Sequence, residues 1–241
     1  PPRSTQGVSS AASDVYKRQI RNELNDESNP PGSVRSVAPF WSFFAVESYM
    51  DEVAHKLGED PLEFRLSHIK AEGVNEGVKG KSFGGSNRLK NALLLAAGKA
   101  GYGVKPLPKD TGMGISVVSS QERGSPNWTA CIAEVHVDRK NGKITPKKLT
   151  IVMDVGTAIN PNGIKAQIEG SALYGVSQVL HENITMKDGS IEQGNFDTWT
   201  PLRLNEAPEI NSFIIENGHY PVGAGEASMT TVAPAFANAI Y

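Results

Sequence analysis

Residues 128–137 and 144–153 are strand-patterned runs on either side of Asn141-Gly142, and this arrangement restricts the middle of the chain more than any other feature. Asn-Gly accepts the positive φ values of a tight turn, so the two runs are predicted to fold back on each other as a hairpin. Within the first run Ile132, Glu134 and His136 alternate with Ala133, Val135 and Val137, which puts the two sets on opposite faces of a strand. Lys187-Asp188-Gly189 marks a second turn, joining residues 183–186 to residues 190–193, and residues 210–215 read as a further strand.

Helical periodicity frames these strands. Phe44, Val46, Tyr49, Met50, Val53, Ala54 and Leu57 recur at the helical period, stop at Gly58, and are followed after Pro61 by Leu62, Phe64, Leu66 and Ile69. Residues 43–69 are therefore predicted to form two helices split by Gly58-Glu59-Asp60-Pro61. Residues 89–100 form another, ended by Gly101 in the position that follows a helix. Residues 73–87 are polar and glycine-rich and read as a surface loop. Residues 164–180 are helical in pattern, with Ile168, Ala172, Val176 and Val179 on one side, and residues 232–240 form a last helix. The order is that of an α+β fold. Residues 20–241 show no repeat or linker and are expected to form one interlocked unit.

Charge and composition exclude several classes of function. A net charge of −2, with lysines and arginines scattered rather than clustered, supplies no field for nucleic acid. No apolar run reaches the roughly 18 residues needed to cross a bilayer, so no membrane span is expected. Cys131 is the one cysteine, which rules out an internal disulfide and any cluster held by several thiolates of this chain. It reads as a small buried hydrophobe. The five histidines, His55, His68, His136, His181 and His219, show no i, i+4 pair, so no protein-ligated metal site is expected.

Two motifs carry chemistry. Val222-Gly223-Ala224-Gly225-Glu226 sets a carboxylate in a run of small residues where the backbone can approach a ligand closely. Upstream, Thr150-Ile151-Val152-Met153-Asp154-Val155-Gly156 leads through Asn160-Pro161 to Gln167-Ile168-Glu169-Gly170. A glutamine carboxamide offers both the donor and the acceptor that the edge of a heterocycle requires. Together these blocks resemble the C-terminal part of the molybdopterin-binding large subunit of the xanthine dehydrogenase and aldehyde oxidase superfamily. They are nearest in look to the branch of the isoquinoline 1-oxidoreductase beta-subunits. Residues 35–66 read like the same branch.

The resemblance implies a mixed helix-and-sheet fold, that of the molybdenum-cofactor-binding domain of molybdenum hydroxylases. It implies that Glu226 is the catalytic base, taking the proton from the hydroxide whose oxygen attacks an electron-poor carbon. Gln167 is expected to hydrogen-bond the pterin, with Gly170 and Gly225 allowing close approach. Arg35, in Val34-Arg35-Ser36-Val37, falls where an arginine orients substrate or cofactor, although Ala38-Pro39-Phe40-Trp41 departs from the usual continuation. The implied cofactor is a molybdopterin-type molybdenum cofactor in its cytosine dinucleotide form, with iron–sulfur clusters on a small partner subunit. The implied substrate is an aldehyde or an N-heterocycle, hydroxylated with water as the oxygen source.

Those large subunits are several times longer than 241 residues, so residues 20–241 are expected to be a partial cofactor-binding domain truncated at both ends, inactive alone and unable to hold the cofactor tightly. Residues 1–19 match the resemblance nowhere. Residues 9–19 read as translated adapter sequence, and the whole segment is expected to be non-native or disordered. The expected location is the bacterial cytoplasm or periplasm. Other readings stay open from the residues themselves: Glu226 as a cap of the following helix, Gln167 as a solvent-facing side chain, and Phe40, Trp41, Phe43 and Phe44 as either a substrate wall or, as expected for aromatics at a helix start, core. Asp154 and Asn160-Pro161 read as structural turn and strand-end residues. Two rival functions are a hydrolase using Glu169 and Glu226 as paired carboxylates, and a non-catalytic binding or scaffold domain.

Overall fold

The computed structural model describes residues 34–70, 77–78, 81–82, 85–122 and 125–241, so the expectation for residues 1–19 lies outside the described residues. In chain order the elements are α1 (Val37–Leu57), α2 (Pro61–His68), β1 (Gly77–Val78), β2 (Lys81–Ser82), α3 (Ser86–Ala100), β3 (Thr111–Glu122), β4 (Ser125–Asp138), β5 (Lys143–Gly156), α4 (Pro161–Leu180), β6 (Met186–Lys187), β7 (Ser190–Ile191), a 3₁₀ turn (Leu204–Glu206), β8 (Glu209–Glu216) and α5 (Ala227–Ile240).

Four strands form the central sheet in the order β3-β4-β5-β8. The hairpin predicted at Asn141-Gly142 joins β4 to β5, in antiparallel register with Cys131 opposite Ile151, and Gly142 takes φ 71° in its turn. β8 lies parallel to β5, with Ile151 opposite Ser212. β5 is thus a central strand covered on both faces, and it is buried without interruption from Leu149 to Gly156.

Alternation along β4 feeds two cores. Cys131, Ala133 and Val135 pack with Leu149, Ile151 and Met153 against Ile168, Ala172 and Val176 of α4 and Val232 and Phe236 of α5. Trp128, Ala130 and Ile132 point the other way, against Leu89, Ala92, Leu93 and Ala96 of α3. Cys131 is fully buried as expected, and burial pushes its thiol up. Where β3 crosses α5, a Cβ on Gly114 would sit 2.1 Å from the Ala235 carbonyl oxygen, so only glycine permits this approach.

Two helices hold the outer edge of β3. The Glu47 carboxylate of α1 accepts the Val117 backbone N–H at 3.0 Å, and Asn238 Nδ2 of α5 donates to the Ile115 carbonyl at 2.9 Å. Pairing groups that would otherwise attract another strand are occupied. α1 is tied to α2 by a buried cluster: Arg65 Nε donates to Glu47 Oε2 at 3.0 Å, its NH1 to Asp51 Oδ1 at 2.5 Å, and its NH2 to the Glu47 carbonyl at 2.9 Å. Burial raises the pKa of both carboxylates, against the pull of Arg65. Burial alone would lower that of Arg65, but Glu47 and Asp51 more than offset it.

Several sequence expectations need correction. α1 starts at Val37 rather than near Phe43, and its aromatics are not core: Phe40 and Phe43 are half-buried, while Trp41 and Phe44 are 51% and 43% exposed. Glu47 ties the later part of that helix to the edge strand, whereas the rings of Trp41 and Phe44 at its start are left largely to solvent. Val179 is exposed as well, because α4 turns its Ser171 and Gly175 to α5 instead. The expected loop at residues 73–87 contains the β1–β2 pair and the start of α3, where the indole of Trp128 fills the space a side chain on Gly85 would need. The turn at Asp188-Gly189 is as expected, with φ 51° and 77°.

Candidate functional site

Three separate segments bring the sequence-predicted site residues together. The first is α4, started by Asn160, whose Oδ1 accepts the Gly163 N–H at 3.0 Å, with Pro161 in the first turn where no N–H is needed. That is the structural role expected of Asn160-Pro161. Burying Ile168, Ala172 and Val176 turns Gln167, Gly170 and Tyr174 outward along one stripe.

The second segment is the loop ahead of α5. The Val222 N–H donates to the Val155 carbonyl at 3.1 Å, and Asn127 Nδ2 donates to the Gly223 carbonyl at 3.2 Å, so the loop is pinned to the ends of β5 and β4. Glu226 occupies the N-cap position of α5, yet its side chain makes no capping bond. Its Oε2 is buried and has no hydrogen-bond partner among the described residues. A buried carboxylate oxygen with nothing to accept carries a penalty of about 1–3 kcal/mol or more, which makes it an unusual choice for a helix cap.

The third segment is the turn before α1. Arg35 Nε donates to the Gly225 carbonyl at 3.0 Å, its NH2 donates to the same carbonyl, and NH2 also donates to Gln167 Oε1 at 2.5 Å. The guanidinium lies 5.5 Å from the centre of the Tyr174 ring, and a Cβ on Gly170 would stand 3.7 Å from its NH1. Ser36 Oγ donates to the Glu226 carbonyl at 2.5 Å. Arg35, Gln167, Gly170, Gly225 and Glu226, spread over most of the sequence, therefore meet in one place. Tyr174 and Ser36 join them and were not singled out from the sequence: Tyr174 stands in no motif, and Ser36 enters only as the neighbour of Arg35.

Gln167 and Glu169 lie two residues apart on α4 and so project about 200° apart around it. Gln167 reaches Arg35, whereas Glu169 accepts a bond from Ser212 of β8 at 3.0 Å. Glu169 points away from the Glu226 side, which removes the paired-carboxylate hydrolase. Asp154 is structural, as expected: it is buried, accepts from Arg88 NH2 and from Asn217 Nδ2 at 3.1 Å and 3.0 Å, and takes the Gly156 N–H at 3.1 Å. Among the described residues no group of His, Cys, Asp or Glu could hold a metal ion, and no helix is long and apolar enough to cross a membrane.

Residues 68–208 match the profile of the molybdopterin cofactor-binding domain. The chain belongs to that family, within the xanthine dehydrogenase and aldehyde oxidase superfamily. The matched span contains Gln167 and Gly170; Arg35, Gly225 and Glu226 lie outside it. A protein of Gluconacetobacter polyoxogenes named as a membrane-bound aldehyde dehydrogenase [pyrroloquinoline-quinone] is 43% identical over 93% of this chain and 29% of its own length. A subunit of the nicotinate dehydrogenase of Pseudomonas putida is 28% identical over 86% of this chain and 17% of its own. The beta-subunit of the isoquinoline 1-oxidoreductase of Brevundimonas diminuta is 27% identical over 81% of this chain and 23% of its own. The chain thus spans less than a third of the curated relatives it matches. In fold it is similar to the aldehyde oxidoreductase of Desulfovibrio desulfuricans, with a TM-score of 0.64 at 15% identity over 87% of this chain and 39% of that one. The Desulfovibrio gigas aldehyde oxidoreductase gives 0.62 at 16% identity over 86% and 39%.

Proposed function

We propose that this chain supplies the base and part of the cofactor cradle of a molybdenum hydroxylase that oxidises an aldehyde or an N-heterocycle with oxygen taken from water. The observation that carries the reading is the orphaned Oε2 of Glu226, buried at the head of α5 beside Arg35 and Gln167.

The residues present fit a pterin-borne cofactor. Gln167 is exposed, and its Nε2 donates to no partner among the described residues, which leaves an amide edge for a heterocycle. Gly225 is exposed, with open space where a Cβ would be, so a ligand can lie directly on the backbone. A metal arriving here would have to bring its own ligands, as a dithiolene-bound metal does. When bound, the cofactor supplies the two-electron oxidation, the protein providing orientation and electrostatics. Gln167 holds the ring edge, and Glu226 Oε2 accepts the proton of the attacking oxygen. Such help is worth about 10²–10⁴-fold, or roughly 3–5.5 kcal/mol of barrier, provided the carboxylate lies within hydrogen-bond reach. Iron–sulfur clusters on a small partner subunit would be the electron acceptor in the same proposal. The cytosine dinucleotide form of the cofactor belongs to the same proposal.

The family match supports molybdopterin, whereas the name of the Gluconacetobacter relative favours pyrroloquinoline quinone as a second reading. The longer protein, expressed with its iron–sulfur partner and cofactor machinery, decides between them. Molybdenum near one atom per chain, together with dye reduction by an aldehyde or azaarene, is the expected result. A metal-free preparation carrying an extractable quinone overturns the molybdenum reading, and a loaded preparation that oxidises neither substrate class favours the scaffold domain.

A further inference from the structure

Ser36 and Val37 adopt φ 72° and 41°, two successive residues in a region that a Cβ disfavours, and Val37 is β-branched as well. Such strain persists only where the surroundings over-determine it, and here the determinants are visible. The side chains of Arg35 and Ser36 grip the carbonyls of two consecutive residues, Gly225 and Glu226, from the same turn. Two donors of the Arg35 fork are directed at Gly225, and NH2 is shared with Gln167. Ser36 leaves its own helix uncapped while giving its hydroxyl to Glu226.

Glu226 needs such help. Its carboxylate does not cap α5, and Oε2 finds no partner among the described residues, so no hydrogen bond from them to that oxygen fixes its direction. Among the described residues nothing packs where a Cβ of Gly225 would be. The aim of the carboxylate is therefore set by the backbone at residues 225–226, and the turn before α1 holds that backbone. The turn is in its own right anchored, because α1 is fixed to the sheet edge through Glu47 and to α2 through Arg65.

We propose that the strained turn at residues 35–37 is a clasp that sets the direction of the Glu226 carboxylate, with Arg35 and Ser36 acting as positioning residues through the Gly225 and Glu226 carbonyls. The proposal rests on Glu226 being the base of the site. It assigns Arg35 a task other than direct contact with substrate.

Ser36→Gly separates the clasp from mere structural support. Glycine is at ease at φ 72°, so the variant relieves strain while deleting the hydroxyl. In the full chain, backbone amide relaxation is read at Gly225, Glu226 and Ala227. Order parameters there are expected to fall from about 0.85 to below about 0.6 while the central sheet keeps its values and the melting temperature does not drop. Arg35→Lys, which keeps the charge but loses the fork, loosens Gly225 in the same way. In the longer enzyme Ser36→Gly lowers kcat with KM unchanged. Amide signals at residues 225–227 that stay rigid in both variants overturn the clasp. Because that readout needs no turnover, an inactive parent enzyme counts against the function while leaving the clasp to be judged by the amides alone.

Discussion

Arg65→Met removes the cation from between two buried carboxylates, and the structure says how much that should cost. Arg65 is 1% exposed and donates to Glu47 Oε2, Asp51 Oδ1, and the Pro61 and Glu47 carbonyls. Methionine fills much of the volume but leaves Glu47 and Asp51, 5% and 2% exposed, without their buried cation, the one remaining neighbour of opposite sign among the described residues being the half-exposed His55, 3.9 Å from Asp51. Breaking a buried ion pair by deleting one partner costs about 3–5 kcal/mol, against about 5–15 kcal/mol for the whole stability of an ordinary domain. The sign of the pH dependence follows from the raised pKa values of both carboxylates, caused first by burial. A raised folded-state value means stability that is fully present below the unfolded values, 4.5 for Glu47 and 3.8 for Asp51, and is lost as pH rises through the folded values. Arg65 opposes both shifts, so without it the loss on raising the pH should be steeper. Urea titrations at pH 7.5 and pH 5 are expected to show the variant far less stable at the higher pH and partly recovered at the lower one. Adding Glu47→Gln and Asp51→Asn to Arg65→Met should restore most of the loss at pH 7.5. A cost under about 1 kcal/mol that does not change with pH refutes the charge argument.

Three further predictions bear on the site and its support. Glu226→Gln in the longer enzyme should lower turnover at least about 10²-fold while cofactor content stays constant, and a variant that lost cofactor but kept its rate per bound cofactor would make Glu226 a binding residue. Gln167→Ala should lower cofactor occupancy, measured as metal per chain, while loaded molecules still turn over. Gly114→Ala should destabilise the chain by about 1–3 kcal/mol in thermal or urea unfolding, because the new methyl meets the Ala235 carbonyl at 2.1 Å and backbone must move to admit it.

What could be read from the sequence depended on how far each interaction reaches along the chain. Asn141-Gly142, Gly101, Asn160-Pro161 and Asp188-Gly189 act on their immediate neighbours, and the turns and helix ends they predict are present. Gln167 and Glu226 stand out by motif, and their neighbourhood is real, but the link between them runs through a turn far upstream, Arg35 bonding Gln167 and the Gly225 carbonyl and Ser36 the Glu226 carbonyl. No periodicity encodes that meeting. Arg88 with Asp154, and Arg65 with Glu47, were missed for the same reason: a lone arginine on a helix looks identical whether it faces water or a buried acid. Trp41 and Phe44 failed differently. Apolar period shows which side of a helix seeks cover, not whether cover is there.

The parallel pairing of β5 with β8 has a consequence for the order of folding. β4 and β5 are joined by residues 139–142, whereas residues 157–208, including all of α4, separate β5 from β8. Closing a loop roughly ten times longer costs about 2 kcal/mol more in chain entropy, paid before any β8 contact returns it. The β3–β5 meander should therefore consolidate first and β8 dock late, so hydrogen exchange during refolding should protect Ile151 before Ser212. Until β8 arrives, the free edge of β5 is an open ladder of backbone groups bordered by Ile151, Val152 and Met153, and an interrupted chain would expose it to a second copy.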